Sequence, residues 1–274
     1  MTIARLFTLL TLLAALTACG LLPEEEDKTK GWSAQKLYAE ASQALANGSY
    51  ADAIKYYEKL EARYPFGRYA MQAQLDVAYA YYKDEEPDQA IAAADRFIKL
   101  YPNSPATPYA YYLKGIVNFN QGIGLLERYL PTDPSQRDAG AAVEAYKNFE
   151  ELVRKFPDSE YAKDARQRMI YLRNNLARYE VHVARYYYNR GAYVAAVNRA
   201  AYVVERYQRS PAVRDALELM ALSYDRLELP NLAGDARRVI AVNEQQGSFA
   251  PDPAKVDEKT WSRSLWDYLE FDQN

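Results

Sequence analysis

The strongest constraint in this chain is a sequence repeat. In each copy an alanine is followed, eleven and twelve residues later, by an aromatic residue and, in most copies, a proline. Three copies end in an aromatic residue and a proline: Tyr64-Pro65, Tyr101-Pro102 and Phe156-Pro157. The fourth copy ends in Tyr207-Gln208. The matching alanines are Ala53, Ala90, Ala145 and Ala196. Recurrence at this spacing indicates stacked helix pairs, because each pair leaves an apolar face that a neighbouring pair must bury.

Each residue type in the repeat has a physical role. Alanine lets two helices approach closely, glycine allows the turn between them at Gly48 and Gly191, and proline stops the second helix. The pattern resembles the tetratricopeptide repeat of about 34 residues per helix pair. It predicts an all-α fold, a tetratricopeptide-like solenoid of about five helix pairs, whose concave surface is lined by the first helix of each pair.

Irregular spacing divides the chain further. Pro65 and Pro102 are 37 residues apart, but Pro102 and Pro157 are 55 apart, which predicts an insertion at about 121–139. A second stretch longer than one repeat needs, between Glu160 and Tyr188, contains no helix-breaking residue. It predicts one long helix or two joined helices. The predicted divisions are a signal peptide at 1–18, a lipidated tether at 19–33, repeats 1–3 at 34–157, repeats 4–5 at 158–243, and a linker with a short C-terminal helix at 244–274, where Trp261, Leu265 and Leu269 share one helical face.

The N-terminus indicates export and attachment to lipid. Arg5 precedes an apolar run from Leu6 to Leu16, which is the layout of a secretory signal and is too short to span a bilayer. The run ends at small residues before Cys19 and resembles a bacterial lipoprotein signal, which implies an S-diacylglycerol and an N-acyl group on Cys19. Gly20 follows where an acidic residue would suggest inner-membrane retention, so the outer membrane is favoured. The alternative is a plain signal peptide that ends at a cysteine by chance.

Basic charge is concentrated in one stretch. Between Arg166 and Arg214 the chain has ten arginines, no lysine, and only Glu180 and Glu205 as acids, although the whole chain has a formal charge of −3. Arginine suits bidentate contact with carboxylates, so an acidic partner surface is the natural interpretation. A solvated helical face and a lipid headgroup surface are the alternatives. No global charge excess indicates nucleic acid.

Aromatic residues mark a second candidate surface. The inward positions of the first helices of repeats 1–3 are predicted at Tyr38, Leu75, Tyr79, Tyr82, Tyr109, Tyr112 and Phe119. Tyrosine offers a large apolar area and a hydroxyl that can satisfy peptide backbone, which suits capture of extended, aromatic-ended segments. The alternative is that these rings only pack helix against helix.

Enzymatic interpretations find little support in the residues. The only histidine, His182, stands within a predicted helix, where we expect a structural role, and any catalytic triad or histidine-based metal site would depend on it alone. The Gly122-Ile123-Gly124 sequence does not open a strand-to-helix phosphate loop. We therefore expect no catalytic residue, no metal and no cofactor apart from the covalent lipid.

Five motifs in order resemble the BamD family of outer-membrane assembly lipoproteins. They are Arg63-Tyr64-Pro65-Phe66-Gly67, Ala80-Tyr81-Tyr82-Lys83, Asp95-Arg96-Phe97-Ile98, Tyr111-Tyr112-Leu113-Lys114-Gly115, and the stretch from Arg190 to Arg199. The resemblance implies a non-enzymatic subunit of the β-barrel assembly (BAM) complex, held to the outer membrane on its periplasmic side. It also implies docking to the barrel subunit BamA through the C-terminal half, with Arg190 and Arg199 as first candidates.

The same resemblance implies that the N-terminal repeats receive unfolded outer-membrane proteins, and that other BAM lipoproteins are partners. Two other hypotheses remain open from the residues. One is a tetratricopeptide lipoprotein that coordinates peptidoglycan or division machinery at the outer membrane. The other is an envelope hydrolase with a helical accessory array.

Overall fold

The structure, a computed structural model, describes residues 27–121 and 139–250. Within these ranges the chain forms ten helices and no strand. The helices are α1 (Ala34–Ala46), α2 (Tyr50–Arg63), α3 (Arg68–Lys83), α4 (Pro87–Leu100), α5 (Thr107–Gln121), α6 (Gly140–Lys155), α7 (Glu160–Asn189), α8 (Tyr193–Arg206), α9 (Ala212–Arg226) and α10 (Pro230–Gln246). Four predicted features lie outside the described residues: the signal peptide at 1–18, lipidated Cys19, residues 122–138 of the insertion, and the C-terminal helix.

The helices pack as five successive pairs, each helix lying against the next one in the chain. The first helices of neighbouring pairs also touch one another: α1 with α3, α3 with α5, α5 with α7, and α7 with α9. Between residues 27–121 and 139–250, the second helices of neighbouring pairs make no comparable contact. The first helices therefore line the inner side of the array, and the predicted all-α solenoid is confirmed.

The repeat alanines lie in the interior of the helix array. Ala53, Ala90, Ala145 and Ala196 are all completely buried. Ala233 of α10 occupies the same position in the fifth pair and is also completely buried. Any larger side chain at these positions would force the paired helices apart, because protein interiors are close-packed.

The turn within a pair is built in the same way four times. One residue adopts a left-handed conformation two positions before the second helix: Gly48 (φ 75°), Glu85 (φ 60°), Gly191 (φ 76°) and Glu228 (φ 60°). The next N–H then reaches back to a carbonyl five residues earlier, as from Ser49 to Ala44 at 2.9 Å and from Ala192 to Tyr187 at 2.9 Å. These bonds satisfy carbonyl groups at the end of the first helix and reverse the chain direction.

Helix α7 joins the two halves of the solenoid. It runs over 30 residues, or about 45 Å, as a single helix. Ala165 and Leu172, in its first half, belong to the core formed with α5 and α6, whereas Ala177 and Val181 belong to the core formed with α8 and α9. The N-terminal and C-terminal repeats are therefore coupled through one continuous helix.

A short N-terminal strap, residues 27–33, lies against α2. Asp27 forms ion pairs with Lys59 (2.6 Å) and with Arg63. Arg63 also donates to the carbonyl oxygen of Thr29 (2.5 Å), a residue that is 3% exposed. Trp32 packs its ring against Tyr56 at 5.9 Å. The chain therefore leaves the described region at Asp27, beside the C-terminal end of α2.

Candidate functional site

Five of the seven predicted inner-surface residues remain partly exposed. They lie on the first helices of pairs one to three: Tyr38, Tyr79, Tyr82, Tyr109 and Tyr112. The rings form local groups, with centroid distances of 6.1 Å between Tyr79 and Tyr82 and 5.1 Å between Tyr112 and Tyr161. The Tyr82 hydroxyl accepts a hydrogen bond from the side-chain amide of Asn120. The inner face is thus an aromatic surface, on which the hydroxyl groups of Tyr38, Tyr82 and Tyr112 bond side chains of other helices or of a later turn.

The other two predicted residues belong to the core. Leu75 is 5% exposed and packs with Phe97 and Ala110, and Phe119 is 8% exposed and packs with Phe149. A helix position that points between two neighbouring helices is covered on both sides, so these side chains offer little area to a peptide. Of the seven predicted residues, only the five tyrosines therefore contribute to the candidate surface.

A partly buried carboxylate, that of Asp76, anchors the N-terminal part of this surface. The Tyr38 hydroxyl donates to Asp76 Oδ2 at 2.8 Å, the Tyr57 hydroxyl lies 3.5 Å from the same oxygen, and the Gln72 amide donates to Oδ1 at 2.8 Å. Burial raises the pKa of Asp76, and burial together with the Asp76 carboxylate raises the pKa of Tyr38 to about 12. Tyr38 is therefore a neutral donor, held in place by Asp76.

A second carboxylate holds the third pair against α7. The Tyr112 hydroxyl donates to Asp164 Oδ2 at 2.7 Å, and Arg168 Nε donates to the same oxygen at 2.6 Å. The Arg168 guanidinium also lies 5.0 Å from the centroid of the Phe119 ring. The sequence analysis did not identify Asp76 or Asp164. The only feature of the sequence that marks them is an acidic residue one helical turn from apolar residues on a first helix.

The two arginines predicted to face a partner are both exposed. Arg190 caps the C-terminal end of α7, and its guanidinium lies 4.9 Å from the centroid of the Tyr186 ring. Arg199 of α8 forms an ion pair with Glu180 of α7 at 3.1 Å, with the arginine side chain 48% exposed and the glutamate 13% exposed. Arg190 can therefore meet a partner directly, whereas Arg199 also links two helices of this chain.

Other arginines of the basic stretch serve the fold. Arg168 is buried. Arg173 donates to the carbonyl oxygen of Arg209 at 3.1 Å, Arg166 donates to that of Pro157 at 2.8 Å, and Arg214 bonds Glu244 at 2.8 Å. The exposed basic surface is therefore smaller than the sequence count indicates. Its other exposed members are Arg185, Arg190, Arg199, Arg206 and Arg209, which are spread from α7 to the end of α8, with Arg190 at the turn between the two helices.

The described residues were also compared with the requirements of a metal site and of a membrane span. Residues 27–121 and 139–250 contain no group of three or more His, Cys, Asp or Glu side chains placed to hold a metal ion. None of the helices in the same ranges is long and apolar enough to cross a membrane. His182 lies at an exposed position of α7 rather than in the core.

The stacked helix pairs, with a tyrosine-lined inner face and a basic turn, define a solenoid of the protein-binding class. A family model described as YfiO, outer membrane lipoprotein, matches residues 31–239. The outer membrane protein assembly factor BamD of Neisseria meningitidis serogroup B is 46% identical over 252 residues, covering 91% of this chain and 94% of that protein. The chain belongs to this BamD family of outer-membrane lipoproteins.

A more distant relative agrees with this assignment. The protein of the same name from Xylella fastidiosa is 36% identical and is matched over 94% of this chain and 88% of its own length. Among solved structures, MamA matches 80% of this chain and 98% of its own length, with a TM-score of 0.28 and 19% identity. The solenoid is established by the packing of the helices themselves.

Proposed function

We propose that this chain is a non-enzymatic lipoprotein subunit of the outer-membrane β-barrel assembly complex. In this role it receives unfolded outer-membrane proteins on the tyrosine-lined inner face and docks to the periplasmic domains of a BamA-like barrel subunit through the turn between α7 and α8. The observation that carries the proposal is the run of partly exposed tyrosines along the first helices of three successive pairs. The relatives named as outer membrane protein assembly factors support it.

The inner face suits segments that end in aromatic residues. Tyr38 and Tyr112 are oriented by Asp76 and Asp164, so their rings are held without a peptide and little side-chain entropy is lost on binding. Tyr79 and Tyr82 lie between these two fixed points and contact each other. The C-terminal segments of barrel proteins are the proposed ligands.

Attachment to the outer membrane is proposed through acyl groups on Cys19. Several chains on one residue hold a protein to a bilayer persistently, because each buried CH₂ contributes about 0.8 kcal/mol. The described helices then face the periplasm, where barrel proteins arrive unfolded. Other lipoproteins of the complex are expected partners.

Peptide capture is tested by changing Tyr79→Ala and Tyr82→Ala together. We expect about a tenfold loss of affinity for a fluorescent barrel C-terminal peptide, corresponding to about 1.4 kcal/mol, measured by anisotropy. Tyr202→Ala, an exposed tyrosine on the second helix α8, is the matched control and should bind normally. Unchanged affinity in a normally helical double variant would contradict the assignment of the inner face.

Docking is tested at Arg190 rather than at Arg199. Arg190→Glu reverses an exposed charge that contacts the neighbouring Tyr186 ring, so the fold should tolerate it. Arg199→Glu would in addition place a negative charge against Glu180 and lower stability. We expect Arg190→Glu to reduce co-purification of a BamA-like subunit from solubilised membranes, with Arg154→Glu of α6 as control. Recovery of division or peptidoglycan-linked proteins instead would overturn the proposal.

A further inference from the structure

The loop that joins α2 to α3 carries the most exposed large apolar side chain of the residues that the structure describes. Phe66 is 90% exposed, whereas the next in order, Val194, is 61% exposed. A single exposed apolar residue is common on protein surfaces and indicates little by itself. The surroundings of Phe66 therefore decide what its ring contacts.

The exposed ring is confined to the first helix pair. Each of the three later loops has a counterpart of Phe66, two residues after the aromatic residue that ends the repeat. These counterparts are polar or charged, and all are exposed: Asn103, Asp158 and Arg209. The connection between successive pairs is thus made without an apolar side chain at this position, so the repeat itself does not account for Phe66.

The backbone of the loop holds Phe66 in a defined position. The Tyr64 N–H bonds the Leu60 carbonyl at 2.8 Å, and the Tyr64 hydroxyl donates to the Trp32 carbonyl at 2.8 Å. Gly67 adopts φ 103° directly before α3, a conformation that glycine takes without strain. A ring on such a fixed frame loses little conformational freedom when it is buried by a partner.

The same end of the first pair is basic. Arg68 follows the loop, and the strap, which accepts the hydrogen bond from Tyr64, carries Lys28 and Lys30; all three cations are exposed. None of the three forms an ion pair with another residue of the described ranges. Asp27, the one acid of the strap, is already paired with two basic residues of α2. Positive charge therefore accompanies the exposed ring.

We propose that the α2–α3 loop contacts the lipid bilayer. The Phe66 ring lies among the acyl chains just below the headgroups, and the basic side chains of the loop and the strap lie at the lipid phosphates. Apolar rings are buried at this depth by proteins that lie on a membrane, and anionic headgroups attract lysine and arginine near the surface. The inference rests on the acylation of Cys19 proposed above.

The tether brings this loop to the membrane. Asp27, at which the described chain begins, forms an ion pair with Arg63, and Arg63 directly precedes Tyr64 of the loop. The chain from Cys19 to Asp27 can span at most about 29 Å. An acylated Cys19 would therefore keep the loop close to the bilayer surface, where a weak contact is sufficient because the tether raises its effective concentration.

A bilayer suits this surface better than a protein partner does. Stable protein interfaces bury about 800 Å² on each partner, whereas the loop offers a single ring beside a few cations. Acyl chains need no complementary shape, because they close around any inserted apolar group. The small area and the positive charge of the loop therefore favour an anionic lipid surface.

Partition onto vesicles tests the contact in the mature chain, residues 19–274, made with Cys19→Ser so that no acyl group contributes. The vesicles contain phosphatidylethanolamine and phosphatidylglycerol. We expect Phe66→Ser to lower the partition coefficient at least about fivefold. Leu100→Ser, which removes an apolar side chain that is 54% exposed at the end of α4, should leave it unchanged. Equal partition of the two variants, or no partition of the parent chain, would overturn the inference.

Fluorescence quenching tests the depth of the loop in the acylated protein. Acylation blocks the thiol of Cys19, the only cysteine of the chain, so Phe66→Cys supplies one reactive thiol for an environment-sensitive dye. Nitroxide groups on the lipid acyl chains should quench this dye several-fold more strongly than the same dye on Asn103→Cys, the counterpart in the next loop. Equal quenching at the two positions would contradict the proposed contact.

Two further measurements separate this inference from the proposed function. The mass of the N-terminal peptide reports whether Cys19 is acylated, independently of the loop. Phe66→Ser should bind the barrel C-terminal peptide with wild-type affinity. Loss of that affinity with unchanged vesicle partition would assign the loop to the peptide-binding surface and overturn the inference.

Discussion

At the scale of single residues, Gly115 determines how closely α5 approaches α6. A Cβ built on Gly115 would lie 2.8 Å from Cζ of Phe149 and closer still to two other carbons of that ring. Phe149 is completely buried, so the ring has no room to move away. The glycine in the Tyr111 to Gly115 motif is thus required for packing.

We predict that Gly115→Ala lowers the free energy of unfolding by about 1–3 kcal/mol, the usual cost of overpacking. Gly234→Ala in α10 is the control, since the nearest atom to its added Cβ is 3.9 Å away, at the end of the Arg238 side chain. That change should raise stability by about 0.5–1 kcal/mol because alanine favours a helix interior. Urea denaturation of both variants measures the difference. Similar effects of the two substitutions would contradict the packing role.

A second residue-scale prediction concerns pH. Burial raises the pKa of Glu61 to about 6, with Arg96 at 3.6 Å only partly opposing it. Because the folded pKa lies above the unfolded value, Glu61 contributes stability below about pH 4.5 that is lost as the pH rises through about 6. Glu61→Gln should therefore be more stable than wild type at about pH 7.5 by about 1–2 kcal/mol, and the gain should vanish near the unfolded pKa. Thermal unfolding at the two pH values checks this, and a gain independent of pH would count against it.

At the scale of elements, the four equivalent turns are not equally well suited to their conformation. Gly48 and Gly191 adopt positive φ freely, whereas Glu85 and Glu228 adopt φ 60° with a side chain attached. We predict that Glu85→Gly stabilises the protein by up to about 1 kcal/mol, despite the extra freedom glycine gives the unfolded chain. Gly48→Ala should destabilise it by about 1 kcal/mol. Both effects are measurable by urea denaturation, and a loss of stability in Glu85→Gly would show that its side chain makes a needed contact.

The elements also show how far sequence reasoning reached. The four repeat alanines and the two turn glycines are where the repeat predicts them, because close helix contact and positive φ restrict those positions to few residue types. The repeat does not identify Ala233, since Glu244-Gln245 stands where an aromatic residue and a proline follow the other alanines. Leu75 and Phe119 lie on first helices as predicted, but neighbouring helices bury them, and the repeat alone does not show how completely each position is covered. Asp76 and Asp164 could not be anticipated, since their tyrosine partners come from other helices.

At the scale of the whole molecule, the strap determines where the N-terminal tether begins. We predict that Asp27→Asn weakens its ion pairs with Lys59 and Arg63, so that trypsin cuts after Lys28 and Lys30 several-fold faster. Asp52→Asn, at an exposed position of the same α2, is the control. Cleavage rates followed by mass spectrometry decide between them. Equal rates in wild type and Asp27→Asn would mean that the aromatic contacts of Trp32 alone hold the strap.

Asp27 is bound to α2 through the strap. Under the proposed acylation of Cys19, the tether between the membrane and the folded helices therefore comprises only the residues from Cys19 to Asp27, and not all of those before α1. The chain between these two residues can span at most about 29 Å. Under that acylation, the first helix pair would lie near the bilayer, attached through the contact of the strap with its outer helix, α2. An unfolded chain would then meet the tyrosine face within a thin layer beneath the membrane, and the length of the tether would set the thickness of that layer.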